Sequence, residues 1–317
     1  MNILVTGGAG YIGSLLVPEL INLNYNVTVV DNFMFKQNSL INVNKKKNFK
    51  LIVGDVRDNF LIKDIIKQFD VIIPLAALVG APLCDLKPND AVLINEKSIE
   101  FMSKELSNLQ RVIMPVSNSG YGIGNPNEVC TEETPLNPIS LYGRSKVAAE
   151  KIIMQRENSI SFRLATVFGM SPRMRLDLLV NYFVHEALRA KKLTIFEGHF
   201  KRNYVHIRDV VNVFLFAIQN FENLKSNTFN FGLENANLSK LELAMKIKNY
   251  IKDFIFTESK DGKDPDKRNY IVSNKKILSS GYKFKFDLDL GIQELIKGLP
   301  NLSEGIHSNV ENGMFPL

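Results

Sequence analysis

Short apolar runs alternate with longer segments of helical periodicity through the first half of the chain. Six of these runs predict strands: Ile3–Thr6, Asn26–Val30, Leu51–Val53, Val71–Pro74, Val112–Val116 and Ser161–Leu164. The segments between them predict helices over Tyr11–Leu23, Asn59–Gln68, Asn89–Leu106 and Leu141–Arg156. Continuous apolar strands separated by helices indicate a parallel sheet covered on both faces. The pattern therefore predicts an α/β fold, a Rossmann-type doubly wound parallel sheet.

The regular alternation ends near residue 166. A helix is predicted from Asp177 to Lys191, and short strands and helices follow irregularly to the end of the chain. This change predicts a smaller C-terminal substrate-binding lobe. We expect residues 1–165 to form the doubly wound domain, with 205–232 returning to it, and residues 166–204 and 233–317 to form the lobe.

Composition narrows the class of protein. The 317 residues are 45% hydrophobic and 23% charged, which excludes a disordered chain, collagen and a coiled-coil rod. The net charge of +6 is dispersed, so nucleic-acid binding is not expected. Two cysteines, Cys84 and Cys130, are too few for a disulfide framework, and the four histidines lack metal-ligand spacing. The longest apolar stretch is shorter than the roughly twenty residues that cross a bilayer, so we expect a cytoplasmic protein. Because the histidines lack metal-ligand spacing, we expect no bound metal.

A glycine-rich turn follows the first predicted strand and precedes the first predicted helix. It reads Gly7-Gly8-Ala9-Gly10-Tyr11-Ile12-Gly13. In such a turn Gly7 permits the tight bend, Gly10 lets a diphosphate approach the backbone, and Gly13 lets the helix pack on the strand. The helix N-terminus adds amide donors and a partial positive charge. The turn predicts a dinucleotide-binding site.

Two aspartates follow the next two strands. Asp31 ends the second strand, where its carboxylate can accept both hydroxyls of an adenosine ribose and would repel a ribose phosphate. Asp55 lies just past the third strand, within reach of an adenine amine. These positions predict NAD, and not NADP, as the cofactor.

A tyrosine, a lysine and a serine form a candidate catalytic group. Tyr142 and Lys146 are four residues apart at the start of a predicted helix, so they share one face. An ammonium beside a phenol is expected to lower the pKa of the phenol. Ser117 follows a predicted strand, at the sheet edge where such folds bind ligands. The three residues predict hydride transfer, with Tyr142 as the base and Ser117 as the hydrogen-bond partner of the developing carbonyl.

The chain resembles the extended short-chain dehydrogenases/reductases, the NAD-dependent epimerase/dehydratase family that acts on nucleotide sugars. The resemblance rests on TGGAGYIG from Thr6, GDV from Gly54, PLAA from Pro74, SNSGYG from Ser117, YGRSK from Tyr142 and RNYVHIRDV from Arg202. It implies further cofactor-binding residues, namely Asn32, Val56, Leu75, Ala76, Ala77 and Asn95. It also implies a set of substrate-binding residues, namely Val79, Gly80, Asn118, Ser119, Thr166, Arg175, Asn181, Arg202 and Arg268. Homodimerisation through the helices Asn89–Leu106 and Leu141–Arg156 is a further implication.

Two positions after Ser117 depart from the sugar dehydratases of this family. Those enzymes carry an acidic pair there, whereas this chain has Asn118 and Ser119. Neither side chain is a strong general acid or base, so 4,6-dehydration is not expected. Oxidation at a ring carbon remains, either released as a keto sugar or reversed from the other face as epimerisation.

Several longer runs resemble a smaller group, the bacterial GDP-manno-heptose 4-dehydrogenases. They are PLAALVGAPLC from Pro74, NSGYGIG from Asn118, RLATVFGMSPRMRLDLLVN from Arg163 and DPDKRNY from Asp264. Thr166 also stands where the 4-epimerases usually have asparagine. This resemblance implies oxidation of a GDP-linked heptose at C4 for surface polysaccharide biosynthesis, with a GDP-linked substrate favoured over a UDP-linked one. A UDP-glucose 4-epimerase-like enzyme and a non-catalytic NAD-binding scaffold are the alternatives.

Two further residues have competing interpretations. Cys84 is expected near the nicotinamide, where it is either an acid or base for a sugar carbon or a packing residue. His206 begins a predicted helix, and a structural hydrogen bond is the favoured role.

Overall fold

The structure is a computed structural model that describes residues 1–124, 128–259, 268–302, 305 and 307–309. Its strands are β1 (Asn2–Thr6), β2 (Asn26–Asp31), β3 (Phe49–Val53), β4 (Val71–Pro74), β5 (Arg111–Ser117), β6 (Val129–Cys130), β7 (Ser159–Leu164), β8 (Thr166–Phe168), β9 (Lys192–Phe196), β10 (Lys201–His206), β11 (Asn227–Phe231), β12 (Asn237–Ser239), β13 (Ile255–Ser259) and β14 (Ile271–Val272). Its α-helices are α1 (Gly13–Asn22), α2 (Asn59–Ile65), α3 (Ala81–Leu86), α4 (Pro88–Val92), α5 (Ser98–Glu105), α6 (Leu141–Ile153), α7 (Leu179–Arg189), α8 (Ile207–Gln219), α9 (Phe221–Leu224), α10 (Lys240–Tyr250), α11 (Lys275–Ser279) and α12 (Leu288–Gly298). Together these elements build a three-layer α/β structure.

A parallel seven-stranded sheet forms the centre of the described residues. Its strand order is β3-β2-β1-β4-β5-β7-β11, so the chain runs outward from β1 in one direction and then outward from β4 in the other. The crevice between β1 and β4, at the carboxyl ends of the strands, is where such sheets bind ligands. The predicted doubly wound sheet is confirmed.

Apolar side chains cover both faces of this sheet. Ile3 and Val5 of β1 belong to a core that contains α1 and α8, whereas Leu4 points into the opposite core with α2, α5 and α6. This alternation follows from the two-residue period of a strand. Burial on both faces explains why the strands read as continuous apolar runs.

A second group of elements packs beside the carboxyl edge of the sheet. The strands β8, β10 and β12 form one small sheet, and β9 pairs with β13. The helices α7, α10 and α12 bury leucines, valines and phenylalanines in a separate core. The strand β11, within the predicted returning segment, extends the main sheet next to β7.

The observed helices differ from the predicted ones in one division and one addition. The helix predicted over Asn89–Leu106 is α4, a segment with π-type hydrogen bonding over Leu93–Lys97, and α5. The helix α3 was not predicted, because its apolar sequence reads as an extension of the preceding strand. Gly80, with φ of +100°, turns the chain, and a proline in the first turn starts this helix. The other predicted helices lie inside their predicted ranges by up to three residues at either end, as fraying ends allow. The run predicted from Asp264 lies partly outside the described residues.

Candidate active site

The glycine turn joins β1 to α1 and forms the floor of the crevice. Gly7 has φ of +70°, and a Cβ on it would lie 2.5 Å from the backbone nitrogen of Ala76. A Cβ on Gly13 would lie 2.5 Å from the carbonyl oxygen of Gly8, so neither position tolerates a side chain. A Cβ on Gly10 would meet only the Gly7 carbonyl oxygen, at 3.1 Å, because its other side faces the crevice. The turn thus leaves the backbone open to a diphosphate, and these residues fit a dinucleotide.

Asp31 lies at the carboxyl end of β2, beside the glycine turn. Its carboxylate accepts hydrogen bonds from the backbone N–H groups of Ala9 at 2.9 Å and Phe33 at 2.8 Å. Burial raises the pKa of Asp31, and the two N–H donors counteract part of this rise. The bonds hold the carboxylate at the wall of the crevice, where an adenosine ribose is predicted to bind.

Asp55 lies on the same wall and belongs to a polar group at its rim. Its carboxylate forms an ion pair with Arg57 at 2.8 Å and accepts a hydrogen bond from Asn32 at 2.9 Å. The hydrogen bonds from Arg57 lower the pKa of Asp55 to about 2. The carboxylate is therefore ionised at neutral pH, as hydrogen bonding to an adenine amine requires.

Ser117, Tyr142 and Lys146 meet at the edge of the crevice. Ser117 ends β5, and its Oγ accepts a hydrogen bond from the backbone N–H of Ser119 at 3.1 Å. Ser140 caps α6 by accepting from the N–H of Gly143 at 3.1 Å, which sets the helix start just before Tyr142. Lys146 lies one turn later and is almost fully buried. All three side chains line one cleft.

The expected lowering of the tyrosine pKa was wrong for the protein without cofactor. Burial raises the pKa of Tyr142 to about 12, and the guanidinium groups of Arg268 and Arg175 and a hydrogen bond with Ser117 offset only part of this effect. Burial also lowers the pKa of Lys146 to about 8. Desolvation wins in both cases because each charged form has left water. Spacing alone does not reveal burial, which is why the expected shift had the opposite sign.

Most of the predicted binding residues line this cleft. On the cofactor side the lining residues are Gly7, Gly10, Tyr11, Ile12, Gly13, Asp31, Asn32, Asp55, Val56, Leu75, Ala76 and Ala77. On the other side they are Val79, Gly80, Thr166, Arg175, Arg202 and Arg268. Asn95, Asn118, Ser119 and Asn181 do not line the cleft.

Asn95 supports the cleft from behind. Its side-chain oxygen accepts from the backbone N–H of Leu78 at 2.8 Å, and its amide donates to the Leu78 carbonyl at 2.9 Å and to Ser145 at 3.2 Å. These bonds tie the loop after β4 to α6. The structure therefore gives Asn95 a supporting contact and no direct exposure to the cofactor side of the cleft.

Asn181 lies on α7 and connects the two sides of the cleft. Its side-chain oxygen accepts from the N–H of Gly169 at 3.0 Å, and its amide donates to the Tyr11 hydroxyl at 3.1 Å and to the Arg175 carbonyl at 2.9 Å. The Tyr11 hydroxyl in turn donates to the Gly169 carbonyl at 2.6 Å. These bonds make Asn181 a link between the glycine turn and the arginine-bearing segment, and its direct contact with a substrate stays a prediction.

Asn118 and Ser119 follow Ser117 and are buried. Within the described residues, neither the Asn118 amide nor the Ser119 hydroxyl has a hydrogen-bond partner. Both belong to a short 3-10 turn over Asn118–Tyr121 that carries the chain away from the sheet. An unpaired buried amide is costly, because a polar group that leaves water loses its hydrogen bonds.

Two buried arginines form part of the wall opposite the glycine turn. Arg175 is paired with the carboxylate of Asp177, which Arg175 Nε contacts at 3.1 Å. Arg173 was not predicted as a site residue, although it is 3% exposed and lines the same cleft. Its proximity to the cofactor side arises only in the tertiary structure, where its guanidinium lies 4.7 Å from the ring centre of Phe35.

The structure separates the interpretations of Cys84 and His206. Burial raises the pKa of the Cys84 thiol to about 12, and its Sγ lies 3.4 Å from the Leu78 carbonyl. A protonated, buried thiol packs against the loop and does not act as a base at neutral pH. His206 accepts from the N–H of Arg208 at 3.3 Å, and its Nε2 lies 2.6 Å from a carboxylate oxygen of Glu294. It is a structural residue at the start of α8.

Comparison with known proteins places this geometry in a family. Residues 3–232 match the NAD dependent epimerase/dehydratase family. The chain belongs to this family. It is 30% identical to the putative UDP-glucose 4-epimerase of Methanocaldococcus jannaschii, over 94% of this chain and 98% of that protein. It is 28% identical to the UDP-glucose 4-epimerase of Lactobacillus helveticus, over 84% and 87% of the two chains.

A solved structure has the same fold. The UDP-glucose 4-epimerase of Thermotoga maritima, in complex with UDP-glucose, superposes with a TM-score of 0.80 at 24% identity, covering 95% of this chain and 99% of that one. This likeness shows the shared fold, and the family match makes the chain an NAD-dependent enzyme of the epimerase/dehydratase family. The relatives found include UDP-glucose 4-epimerases and dTDP-glucose 4,6-dehydratases, and they do not show the expected resemblance to GDP-manno-heptose 4-dehydrogenases.

The described residues contain neither a membrane-spanning helix nor a metal-binding cluster. No helix there is both long and apolar enough to cross a membrane. No cluster of three or more His, Cys, Asp and Glu side chains in that part of the chain is arranged to hold a metal ion.

Proposed function

We propose that the enzyme is a nucleotide-sugar 4-epimerase that acts on a UDP-hexose such as UDP-glucose. The observation that carries the proposal is the joint placement of Ser117, Tyr142 and Lys146 in the cleft that the glycine turn also lines. The 30% identical relative, matched over nearly its whole length, is named as a putative UDP-glucose 4-epimerase. Both features favour reversible oxidation of a ring hydroxyl.

Each catalytic side chain has a chemical role in this reaction. NAD, when bound, supplies the hydride acceptor and the hydride donor. Tyr142 removes the proton from the sugar C4 hydroxyl and returns it after the keto sugar has rotated to present its other face to the nicotinamide. Ser117 donates a hydrogen bond to the oxygen that becomes the carbonyl. Lys146 stabilises the tyrosinate by its charge. Its lowered pKa of about 8 keeps a protonated fraction at neutral pH.

The residues after Ser117 favour this reaction over dehydration. A dehydratase needs an acid to protonate a leaving hydroxyl and a base to remove the neighbouring proton. Asn118 and Ser119 stand at those positions and do not line the cleft. No acidic pair is therefore available there to expel water from the sugar.

The wall opposite the glycine turn suits the diphosphate of a nucleotide sugar. Arg175 and Arg202 are buried there, and Arg268 lies beside them. A planar guanidinium pairs with phosphate oxygens in two places and remains charged at all physiological pH values. Arg175 and Arg268 lie close enough to lower the pKa of Tyr142, so a diphosphate that they bind would place its sugar near that hydroxyl.

A second candidate is 4-oxidation of GDP-manno-heptose without re-reduction. It is favoured by the runs that resemble GDP-manno-heptose 4-dehydrogenases and by Thr166. Thr166 lines the cleft, and its buried hydroxyl has no hydrogen-bond partner within the described residues. An asparagine at this position would present a longer amide side chain in place of this hydroxyl.

Incubation of the purified enzyme with UDP-glucose, UDP-galactose and, separately, GDP-manno-heptose tests the two candidates. Products are identified by mass and NMR, and reduced nicotinamide is followed by absorbance. Interconversion of UDP-glucose and UDP-galactose without net NADH supports the epimerase. A GDP-heptose product lighter by two hydrogens, formed with NADH, would replace it with the dehydrogenase. Tyr142→Phe serves as the inactive control in each assay.

A further inference from the structure

Arg173 differs from its neighbour Arg175 in the way its charge is balanced. Arg175 is paired with Asp177, whereas no carboxylate in the described residues forms an ion pair with Arg173. Arg173 is nevertheless 3% exposed. Burial lowers the pKa of Arg173 to about 10, so the guanidinium is still charged at neutral pH. The carboxylates of Asp177 and Asp31 favour this charge without contacting it, so an anion that reached the guanidinium would lower the cost of burying it.

The contacts of Arg173 leave part of its fork free for a ligand. Nη1 donates to the Met174 carbonyl at 2.7 Å, and Nη2 donates to the Asn309 side-chain oxygen at 2.6 Å and lies 3.5 Å from the Ser308 carbonyl. These three contacts are the ones made within the described residues, and a guanidinium has five N–H donors. The remaining donors belong to a side chain that lines the cleft.

The position of Arg173 shows which end of the cleft it serves. Its guanidinium lies 4.7 Å from the ring centre of Phe35, which follows β2. It is also close enough to Asp31, at the end of β2, for the carboxylate to favour its charged form. Asp31 faces the predicted adenosine ribose, whereas Arg175 and Arg268 lie near Tyr142. Arg173 thus extends from the arginine-bearing segment to the cofactor side.

We propose that Arg173 is a cofactor-binding residue that donates hydrogen bonds to the diphosphate of NAD, from the side opposite the glycine turn. The glycine turn offers backbone amides and a partial helix charge, and Arg173 adds a full positive charge across the cleft. NAD is then held between the two sides, which slows its dissociation. This retention matters for the proposed epimerase because the same nicotinamide must return the hydride, but the binding itself does not depend on the identity of the sugar.

Binding of three nucleotide fragments to the full-length protein, freed of co-purifying nucleotide, tests this proposal by calorimetry. ADP-ribose carries the cofactor diphosphate, adenosine lacks it, and UDP carries the diphosphate of the sugar substrate. The variants are Arg173→Met and Arg173→Lys. Arg111→Met is the matched control, because Arg111 also stacks on a phenylalanine, Phe221, at 4.8 Å, at the opposite edge of the sheet.

We expect Arg173→Met to weaken ADP-ribose binding at least tenfold and to leave adenosine and UDP binding within twofold of the wild type. Arg173→Lys should recover part of the loss, and Arg111→Met should lose nothing. Unchanged ADP-ribose binding would overturn the proposal. So would a loss confined to UDP, which would assign Arg173 to the sugar nucleotide, or an equal loss for all three ligands with a lower melting temperature. If Arg173→Met does not fold, Arg173→Lys and Arg173→Gln give the same comparison. Failure of UDP-glucose epimerisation would leave these outcomes unaffected.

Discussion

The two sides of the cleft are built by different means. The glycine side comes from one short continuous segment, Gly7–Gly13, together with Asp31 and Asp55 at the ends of the next two strands. The arginine side comes from Arg173, Arg175, Arg202 and Arg268, which are spread over about a third of the chain. Backbone amides and carboxylates dominate the first side, and guanidinium groups dominate the second. The comparison teaches that one cleft can offer an anion two kinds of positive potential, backbone dipoles on one side and full charges on the other.

The largest effect is expected at Tyr142, where the two sides meet. Tyr142→Phe removes the proton acceptor and should lower epimerase turnover by about a thousandfold. NAD binding should change by less than threefold, since the glycine side is intact. Turnover measurements and NAD titration check this result, with the exposed Tyr250→Phe as the control. Full turnover in Tyr142→Phe would remove this residue as the base.

Lys146 is the buried cation on the glycine side, and its removal should stabilise the fold. Its pKa is about 8 in the folded protein and about 10.5 when unfolded. Below pH 8 both states are protonated, and folding bears the full cost of the buried charge. Between pH 8 and 10.5 the folded state loses its proton first, so wild-type stability rises with pH.

At pH 7, Lys146→Met should therefore raise the free energy of unfolding, by an amount on the order of 3 kcal/mol from the pKa difference. The gain should shrink towards zero as the pH rises to 10.5. Urea unfolding at several pH values measures it, and exposed Lys151→Met is the control. A destabilised Lys146→Met at pH 7 would show that the lysine contributes contacts that outweigh its desolvation.

Replacement of Asn181 tests whether its hydrogen bonds hold the two sides of the cleft together. Asn181→Ala removes the bonds to Gly169, Tyr11 and Arg175, and should lower the free energy of unfolding by about 2 kcal/mol. Asn181 does not line the cleft but links its two sides, so its loss should lower the NAD and UDP affinities to a similar extent. A loss of UDP affinity alone would restore the direct substrate contact implied by the resemblance. Asn220→Ala, which removes a bond at the end of α8, is the control for stability.

The smallest effect is expected at Arg202, and it tests whether the arginine side distinguishes the substrate nucleotide from the cofactor. Arg202→Met should weaken UDP binding about tenfold, the loss of one charge-assisted interaction, and leave ADP-ribose binding unchanged. Calorimetry with the two nucleotides checks this expectation. Arg208→Met is the control, because Arg208 is exposed and pairs with Glu294 away from the cleft lining. An equal loss for both nucleotides would mean that the arginine side does not discriminate between them.

Local patterns predicted the glycine side well and the other side poorly. The strand limits of β4 matched the apolar run, and the turn after β1 has the geometry that its glycines require. Arg173 and the role of Asn181 were missed because each depends on a partner more than 100 residues away in the chain, such as Tyr11 for Asn181. The helix α3 was missed because its start depends on the positive φ of Gly80, which an apolar run conceals.

The sequence by itself determined the succession of strands along the chain, the place of the glycine turn and the choice of Ser117, Tyr142 and Lys146 as candidates. Each of these features depends on residues that are close together in the sequence, where hydrophobic periodicity and steric limits on the backbone act directly. Only the tertiary structure decided the pKa values of Tyr142 and Lys146 and the balance of charge at Arg173 and Arg175. Desolvation and ion pairing depend on which groups exclude water from a side chain, and folding brings those groups from distant parts of the chain.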